Sequence, residues 1–136
     1  MKIYPVSNPP AISLAGRQLS FESPLLMGIL NITPDSFSDG GQLTNVDSVL
    51  QQANGLVSAG ATILDIGGES SRPGANPVSE GEEKARVLPV LEALAKESFP
   101  IFLSIDTYKA SVAKAAIERG ACIINDISAL RDPEMA

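Results

Sequence analysis

The chain has 136 residues, of which 44% are hydrophobic and 19% are charged, a composition typical of one globular domain with a substantial core. A net charge of −6, no basic run and only 4% aromatic residues argue against nucleic-acid binding. The absence of histidine excludes Ser-His-Asp and Cys-His catalysis and any histidine-ligated metal site.

The N-terminal stretch MKIYPVSNPPAISLAG has three prolines and no continuous apolar run, so we expect no signal peptide. No apolar run approaches the roughly 20 residues that a membrane-spanning helix needs. We therefore expect a cytoplasmic protein, and the single cysteine, Cys122, suits a reducing compartment. Cys122 itself is expected to be a small, buried apolar residue at the start of a strand.

Two regions follow one another along the chain. Residues 1–24 are predicted to form an N-terminal hairpin extension, because AISLAGRQLSF alternates weakly around Ala15 and Gly16. Residues 25–136 then repeat a strand–helix unit within one domain. The predicted strands are residues 25–30, 62–66, 101–105 and 122–127. They are apolar on both faces, which favours an α/β fold with a parallel sheet covered by helices.

Three helices are predicted between these strands. The first, VDSVLQQANGLVSAG, ends at Gly60. Ser79 and Glu82 form a capping box that opens the second helix, and Pro89 should kink that helix or split off its first turns. The third, YKASVAKAAIERG, ends at Gly120. The apolar face of the first helix is predicted to comprise Val46, Val49, Leu50, Ala53, Leu56 and Val57.

A carboxylate or carboxamide lies at or near the end of every predicted strand. These residues are Asn31, Asp65, Asp106 and Asn125, the last followed by Asp126. Because the carboxyl ends of parallel strands share one edge of the sheet, where active sites lie, we expect the side chains to converge. Helix capping is the alternative for Asp106 and Asn125, since Asp and Asn are common caps.

Such a set of side chains fits a polar heterocycle. A buried carboxylate can accept two parallel N–H bonds from an amidine-like ring edge, and a carboxamide offers both a donor and an acceptor. An apolar neighbour such as Ile127 could pack on the ring face. A ring without matching groups would leave the polar atoms of the site unpaired and would be rejected.

The segment GGESSRPGA, which follows the second strand, suits an anion. Gly67 and Gly68 allow close approach of the backbone, Ser70 and Ser71 offer hydroxyls, and Arg72 offers a planar guanidinium. The segment is neither a GxGxxG motif nor a GxxxxGK[ST] loop. The alternative is a flexible connection with a solvated arginine.

Together, NITPDSFSDGG, DIGGESSRPGA, SIDTYKA and INDIS resemble the dihydropteroate synthase family in order and spacing. The resemblance extends from about Leu25 to the end of the chain and implies a (β/α)₈ TIM barrel, with this chain covering about the first four β/α units. It further implies condensation of p-aminobenzoate with 6-hydroxymethyl-7,8-dihydropterin pyrophosphate, with release of pyrophosphate and with Mg²⁺ as cofactor.

The resemblance also implies roles for individual residues. Asn31 would help to hold the metal and the pyrophosphate, Asp106 and Asn125 would bind the dihydropterin, and Asp65 would lie close to its reacting side, which makes Asp65 and Asp106 the expected catalytic residues. Ser71 stands where many members have threonine. Residues 33–41 would form a first mobile loop and residues 70–74 a second. The expected substrate contacts in these loops are Thr33, Phe37, Ser71, Arg72 and Pro73.

This chain departs from the family pattern in length. A (β/α)₈ barrel needs about 250 residues, and the resemblance places a further pterin-binding aspartate, a lysine and a basic cluster in a second half. We therefore expect a fragment or truncated form, whose open sheet edges favour self-association as a homo-oligomer, a pair of half barrels. The alternatives are another pterin-binding barrel, of the methyltetrahydrofolate methyltransferase type, and a non-catalytic pterin-binding fragment.

Overall fold

The computed structural model describes residues 11–32, 46–70, 72–97 and 99–136. The strands are β1 (Ile12–Leu14), β2 (Arg17–Leu19), β3 (Met27–Asn31), β4 (Ile63–Gly67), β5 (Phe102–Asp106) and β6 (Ile123–Asn125), and the helices are α1 (Val46–Ser58), α2 (Glu80–Lys96) and α3 (Ala110–Ile117). The first two strands form the predicted antiparallel hairpin, which turns at Ala15 and Gly16 with positive φ at both residues.

The four later strands form one parallel sheet in chain order, β3-β4-β5-β6, with a helix between each pair of successive strands. This confirms the α/β class, and the described strands make an open sheet rather than a closed barrel. The strands β3, β4 and β5 each end one residue later than the sequence predicts. Asn31 and Asp106 are therefore the last residues of strands, so their positions are fixed by the sheet register.

Apolar cores lie on both faces of the sheet. The larger core packs the sheet against the three helices and includes Leu30, Val49, Ala53, Leu64, Ile66, Val87, Val90, Leu91, Leu94, Leu103, Ile105, Val112 and Ala116. On the other face, Leu19 of the hairpin packs with Ile63 and Phe102, which are the first residues of β4 and β5. Arg17 lies 4.3 Å from the centre of the Phe102 ring and donates a hydrogen bond of 2.6 Å to the Ile101 carbonyl. The hairpin thus covers the amino ends of the strands and leaves their carboxyl ends open.

The helix ends follow the predicted signals. Ser79 Oγ accepts a hydrogen bond of 3.2 Å from the Glu82 amide, as a capping box requires. Gly60 and Gly120 adopt positive φ values of 103° and 102° and end α1 and α3. The predicted split at Pro89 is wrong, because α2 is one helix from Glu80 to Lys96. No helix in the described ranges is both long and apolar enough to span a lipid bilayer.

Candidate active site

Three of the four predicted polar residues lie in one row across the sheet. Asn31 pairs with Gly67, Gly67 with Asp106, and Asp106 with Asn125, at the carboxyl ends of β3 to β6. The parallel register therefore brings together two carboxamides and a carboxylate from three strands. Neither Asp106 nor Asn125 makes a capping bond to α3, whose first residue, Ala110, instead donates its amide to the Asp132 carboxylate at 3.0 Å.

Asp65 lies deeper than this row. It pairs in register with Ile29 and Ser104, two residues before the strand ends, so it occupies the same face of the sheet but one layer lower. Its exposed fraction is 2%. The Asp65 Oδ2 atom accepts a hydrogen bond of 2.9 Å from Asn125 Nδ2. The buried Asp65 Oδ1 and Ser104 Oγ have no hydrogen-bond partner among the described residues. Both atoms can therefore still form hydrogen bonds on this face of the sheet.

Several carboxylates lie near one another in the site and repel each other. Burial raises the pKa of Asp106 to about 6, and the negative charges of Asp65, Glu83 and Asp126 add to that rise. By contrast, the pKa of Asp126 is lowered, chiefly by its hydrogen bond with Ser128. A group that presents N–H donors to Asp106 would relieve the like-charge repulsion, so the site favours a donor-rich ligand edge over an anion at this point.

Gly67 lies between the polar side chains of the row, and its bare backbone forms the floor of the site. A Cβ atom at this position would lie 3.5 Å from Asp106 Oδ2 and 3.8 Å from Asn31 Oδ1. The space above the Gly67 backbone is therefore shared by an amide oxygen and a carboxylate oxygen. A planar ligand can approach the backbone closely here, because Gly67 itself carries no side chain.

In the segment after β4, Gly68 has a packing role that the sequence did not indicate. A Cβ atom on Gly68 would lie 2.8 Å from Val87 Cγ1 and 3.0 Å from Glu83 Cγ, so close packing against α2 requires a glycine at this position. Arg72 and Pro73 are exposed, and the Arg72 amide donates to Ser70 Oγ at 3.3 Å.

The remaining predicted residues fall into two groups. Ile127 lies just beyond β6 and is 71% exposed, so it is free to contact a ligand. Thr33, Phe37 and Ser71 lie outside the described residues. Cys122 lies directly before β6 rather than at its first residue, and it is partly rather than fully buried beside the smaller core.

Sequence reasoning missed a charged cluster beside the site. Lys109 forms ion pairs with both Glu69 and Glu83, and the Tyr108 hydroxyl donates to Glu69 Oε1 at 3.0 Å. Glu83 is completely buried on α2, at a position where the apolar periodicity continues. A lysine and two glutamates at unrelated places in the sequence gave no local signal of this arrangement.

Residues 27–136 match the family model described as pterin binding enzyme. The chain belongs to the pterin binding enzyme family. Its sequence is 57% identical over 116 residues to the dihydropteroate synthase of Bacillus subtilis, a match that covers 85% of this chain and 40% of the relative.

Solved structures agree with this assignment to the pterin binding enzymes. The Xanthomonas albilineans dihydropteroate synthase with 4-aminobenzoic acid is 48% identical, with a TM-score of 0.85 over 93% of this chain and 47% of that one. The Burkholderia cenocepacia dihydropteroate synthase complexed with 7,8-dihydropteroate is 45% identical, with a TM-score of 0.80 over 96% of this chain and 42% of that one. The sheet described here is thus part of a TIM barrel, and the chain spans less than half the length of these relatives.

Proposed function

We propose that this chain forms the dihydropterin-binding part of a dihydropteroate synthase. The reaction joins p-aminobenzoate to 6-hydroxymethyl-7,8-dihydropterin pyrophosphate, giving 7,8-dihydropteroate and pyrophosphate. The observation that carries the proposal is the placement of Asp106 and Asn125 in one row, with Asp65 hydrogen-bonded to Asn125 beneath it. The relatives described above are synthases, and the long NITPDSFSDGG and GGESSRPG segments suit that activity better than a pterin-dependent methyltransferase.

The dihydropterin is the ligand whose edge matches this row. Its pyrimidine ring presents adjacent N–H donors, which can pair with the two oxygens of Asp106, while Asn125 supplies both a donor and an acceptor. Asp106 forms no ion pair among the described residues, and burial together with neighbouring negative charges raises its pKa. Pairing with the pterin edge would supply the missing donors, and the floor at Gly67 admits the ring.

The second substrate and the leaving group are assigned to the neighbouring loops. Arg72 and Ser71 would bind anionic groups, and Pro73 and Phe37 would flank the p-aminobenzoate ring, with Thr33 at the start of the other loop. Arg72 and Pro73 are exposed beside the carboxyl end of β4 and are therefore available for these contacts. Ile127, equally exposed beyond β6, would pack on the pterin face.

A magnesium ion fits the donor set at one corner of the row. Asn31 Oδ1 and Asp106 Oδ2 both border the space above Gly67, and oxygen ligands are those that Mg²⁺ prefers. Within the described residues no group of three acidic, histidine or cysteine side chains could hold a metal alone, so Asn31 would share the ion with the diphosphate and water. When bound, the ion would neutralise charge on the departing pyrophosphate.

The acidic residues suit the charge that develops during the reaction. As the bond between the pterin methylene carbon and the pyrophosphate oxygen breaks, positive charge builds on the pterin, which Asp65 and Asp106 can stabilise. The neutral amine of p-aminobenzoate then forms the carbon–nitrogen bond. The resulting ammonium group loses one proton to water or to the departing pyrophosphate, so no strong base is needed. The net charge of −6 leaves few cations for the pyrophosphate, so turnover is expected to depend on cationic residues beyond this chain.

The test is pterin binding together with turnover. The purified chain should quench the fluorescence of 6-hydroxymethylpterin on titration, and Asp106→Ala should abolish that binding. Glu118→Ala, at the exposed C-terminal end of α3 and so toward the opposite edge of the sheet, serves as an acidic control. Pterin affinity that persists undiminished in Asp106→Ala would contradict the proposal. Dihydropteroate formation with both substrates and magnesium separates an enzyme from a non-catalytic pterin binder.

A further inference from the structure

The charged cluster missed by the sequence analysis connects two parts of the proposed site. Lys109 Nζ contacts Glu69 Oε2 and Glu83 Oε2, so one ammonium group joins the segment after β4 to helix α2. Lys109 also lies three residues after Asp106 on the connection from β5 to α3. The side chains of these three charged residues are nearly buried, with exposed fractions of 11% for Lys109, 15% for Glu69 and 1% for Glu83.

This arrangement is more constrained than an ordinary surface ion pair. Glu83 Oε1 has no hydrogen-bond partner in the described part of the chain, so Lys109 is the cation that compensates a buried carboxylate. Although burial opposes the charge on Lys109, its hydrogen bonds to Glu69 and Glu83 raise its pKa above the ordinary value. Burial likewise opposes the charge on Glu69, but bonds from Lys109 and Tyr108 lower its pKa overall. Lys109 and Glu69 are therefore both charged at neutral pH.

The same short stretch of backbone is held from a second direction. Arg86 of α2 donates a hydrogen bond of 2.7 Å to the Gly68 carbonyl, and the Gly68 backbone packs directly on Val87 and Glu83. Tyr108, on the connection from β5 to α3, donates to Glu69. Residues 68–69 are thus fixed by side chains of α2 and of the β5–α3 connection. Only a few residues later, Arg72 accepts a backbone bond of 3.1 Å from Ala75 in a turn with positive φ at Gly74.

We propose that Glu69 and Lys109 are positioning residues that fix the segment of residues 72–76 relative to the pterin row. This inference rests on the proposed function, because that segment carries Arg72 and Pro73, which are assigned to the second substrate. Lys109 and Asp106 share one connection, so the cluster sets the distance between the pterin end and the p-aminobenzoate end of the site. Glu69 and Lys109 act through the segment, and neither is assigned a contact with substrate.

The variant that tests the proposal is Glu69→Gln. It removes the charge that anchors the segment but keeps the ion pair between Lys109 and Glu83, so the buried carboxylate stays compensated and folding is retained. The matched control is Glu92→Gln, which breaks the exposed ion pair of 2.8 Å between Glu92 and Arg119. If Glu69→Gln does not fold, Tyr108→Phe removes a single bond to the same carboxylate.

Amide hydrogen exchange gives the first readout, independent of any ligand. We expect exchange at Ala75, whose amide donates to the Arg72 carbonyl, to rise about tenfold in Glu69→Gln, with the amides of β4 unchanged. In Lys109→Ala exchange should also rise, and Lys109→Arg should restore it. Unchanged exchange at the Ala75 amide in Glu69→Gln, or an equal rise in Glu92→Gln, would overturn the proposal.

Ligand titration gives the second readout and separates positioning from general structure. In Glu69→Gln the affinity for 6-hydroxymethylpterin should stay within about twofold of the native chain, while p-aminobenzoate, measured with pterin and pyrophosphate present, should bind about fivefold or more weakly. Equal losses for both ligands would contradict a positioning role. If the native chain binds no pterin, the proposed function fails while the exchange result still decides the role of the cluster.

Discussion

Asn125 Nδ2 donates a hydrogen bond of 2.9 Å to Asp65 Oδ2 across an intervening strand. The two residues belong to β6 and β4, with β5 between them. Since neighbouring strands lie about 4.8 Å apart, the two side chains must converge over β5 to meet. This convergence fixes Asn125 for its proposed contact with the pterin.

Asn125→Ala should therefore affect both stability and binding. The variant leaves both oxygens of the buried Asp65 without a protein partner among the described residues, which is expected to lower the free energy of unfolding by about 1–3 kcal/mol. Pterin affinity should fall as well. Urea denaturation measures the first effect, and Asn54→Ala, at an exposed position of α1, serves as the control. Equal stability of the native chain and Asn125→Ala would contradict a structural role for this bond.

The pKa of Asp106 predicts how pterin binding depends on pH. The carboxylate has a pKa of about 6 in the folded chain, so only about a tenth of it is ionised at pH 5. We expect the affinity for 6-hydroxymethylpterin to fall about tenfold between pH 7 and pH 5 because the protonated carboxyl loses an acceptor. Fluorescence titration across this range provides the measurement. Asp106→Asn should bind weakly at every pH, and a native profile that is flat through pH 6 would contradict the assignment.

The raised pKa of Asp106 also predicts how stability depends on pH, and here the contribution falls, rather than rises, as the pH increases. The folded-state pKa of Asp106 lies above its ordinary value of 3.8, so the unfolded chain loses this proton at lower pH than the folded chain. The contribution of Asp106 to the free energy of unfolding is therefore fully present below about pH 4 and is lost as pH rises through about 6. Comparison of the native chain with Asp106→Asn by urea denaturation between pH 4 and pH 7 isolates this contribution. A stability difference that stays constant over that range would contradict the shift.

The arrangement of the row was predictable because it depends on local rules. Alternating apolar strands and helices indicate a parallel sheet, and parallel strands bring their carboxyl ends to one edge, so Asp106 and Asn125 could be placed together from the sequence. The depth of Asp65 could not be predicted, since it depends on a register in which Gly67, two residues later, occupies the row. A change of one residue in the pairing register decides which side chains of neighbouring strands lie side by side on one face of the sheet.

The charged cluster was not predictable for a different physical reason. A glutamate on a helix is usually solvated, and only a cation from another element makes its burial tolerable. Glu83 and Lys109 are 26 residues apart, and Glu69 and Lys109 are 40 apart. No local periodicity encodes such a pairing. Residues 33–41 of the first expected loop and Ser71 of the second lie outside the described ranges, so their roles stay predictions.

Two adjacent glycines should respond oppositely to the same substitution. Gly67→Ala places a methyl group in ordinary contact with Asp106 and Asn31, so folding should be little changed, within about 0.5 kcal/mol, while the floor of the pterin site is filled. Gly68→Ala forces a methyl group to 2.8 Å from Val87 Cγ1 and should cost about 1–3 kcal/mol of stability. Denaturation and pterin titration of both variants give the comparison. Equal pterin affinity in Gly67→Ala and the native chain would place the ligand elsewhere.

Self-association is the last prediction. The face of the sheet away from the helices leaves Ile29 53% exposed on β3, an edge strand of the described sheet. We expect the chain to bury this surface as a dimer, which light scattering would report as twice the chain mass of 14.2 kDa. Ile29→Lys should shift the mass to the monomer, whereas Ile117→Lys, at a residue of α3 that is 51% exposed, should not. A monodisperse native monomer would refute the prediction, and dissociation by both variants would place the interface elsewhere.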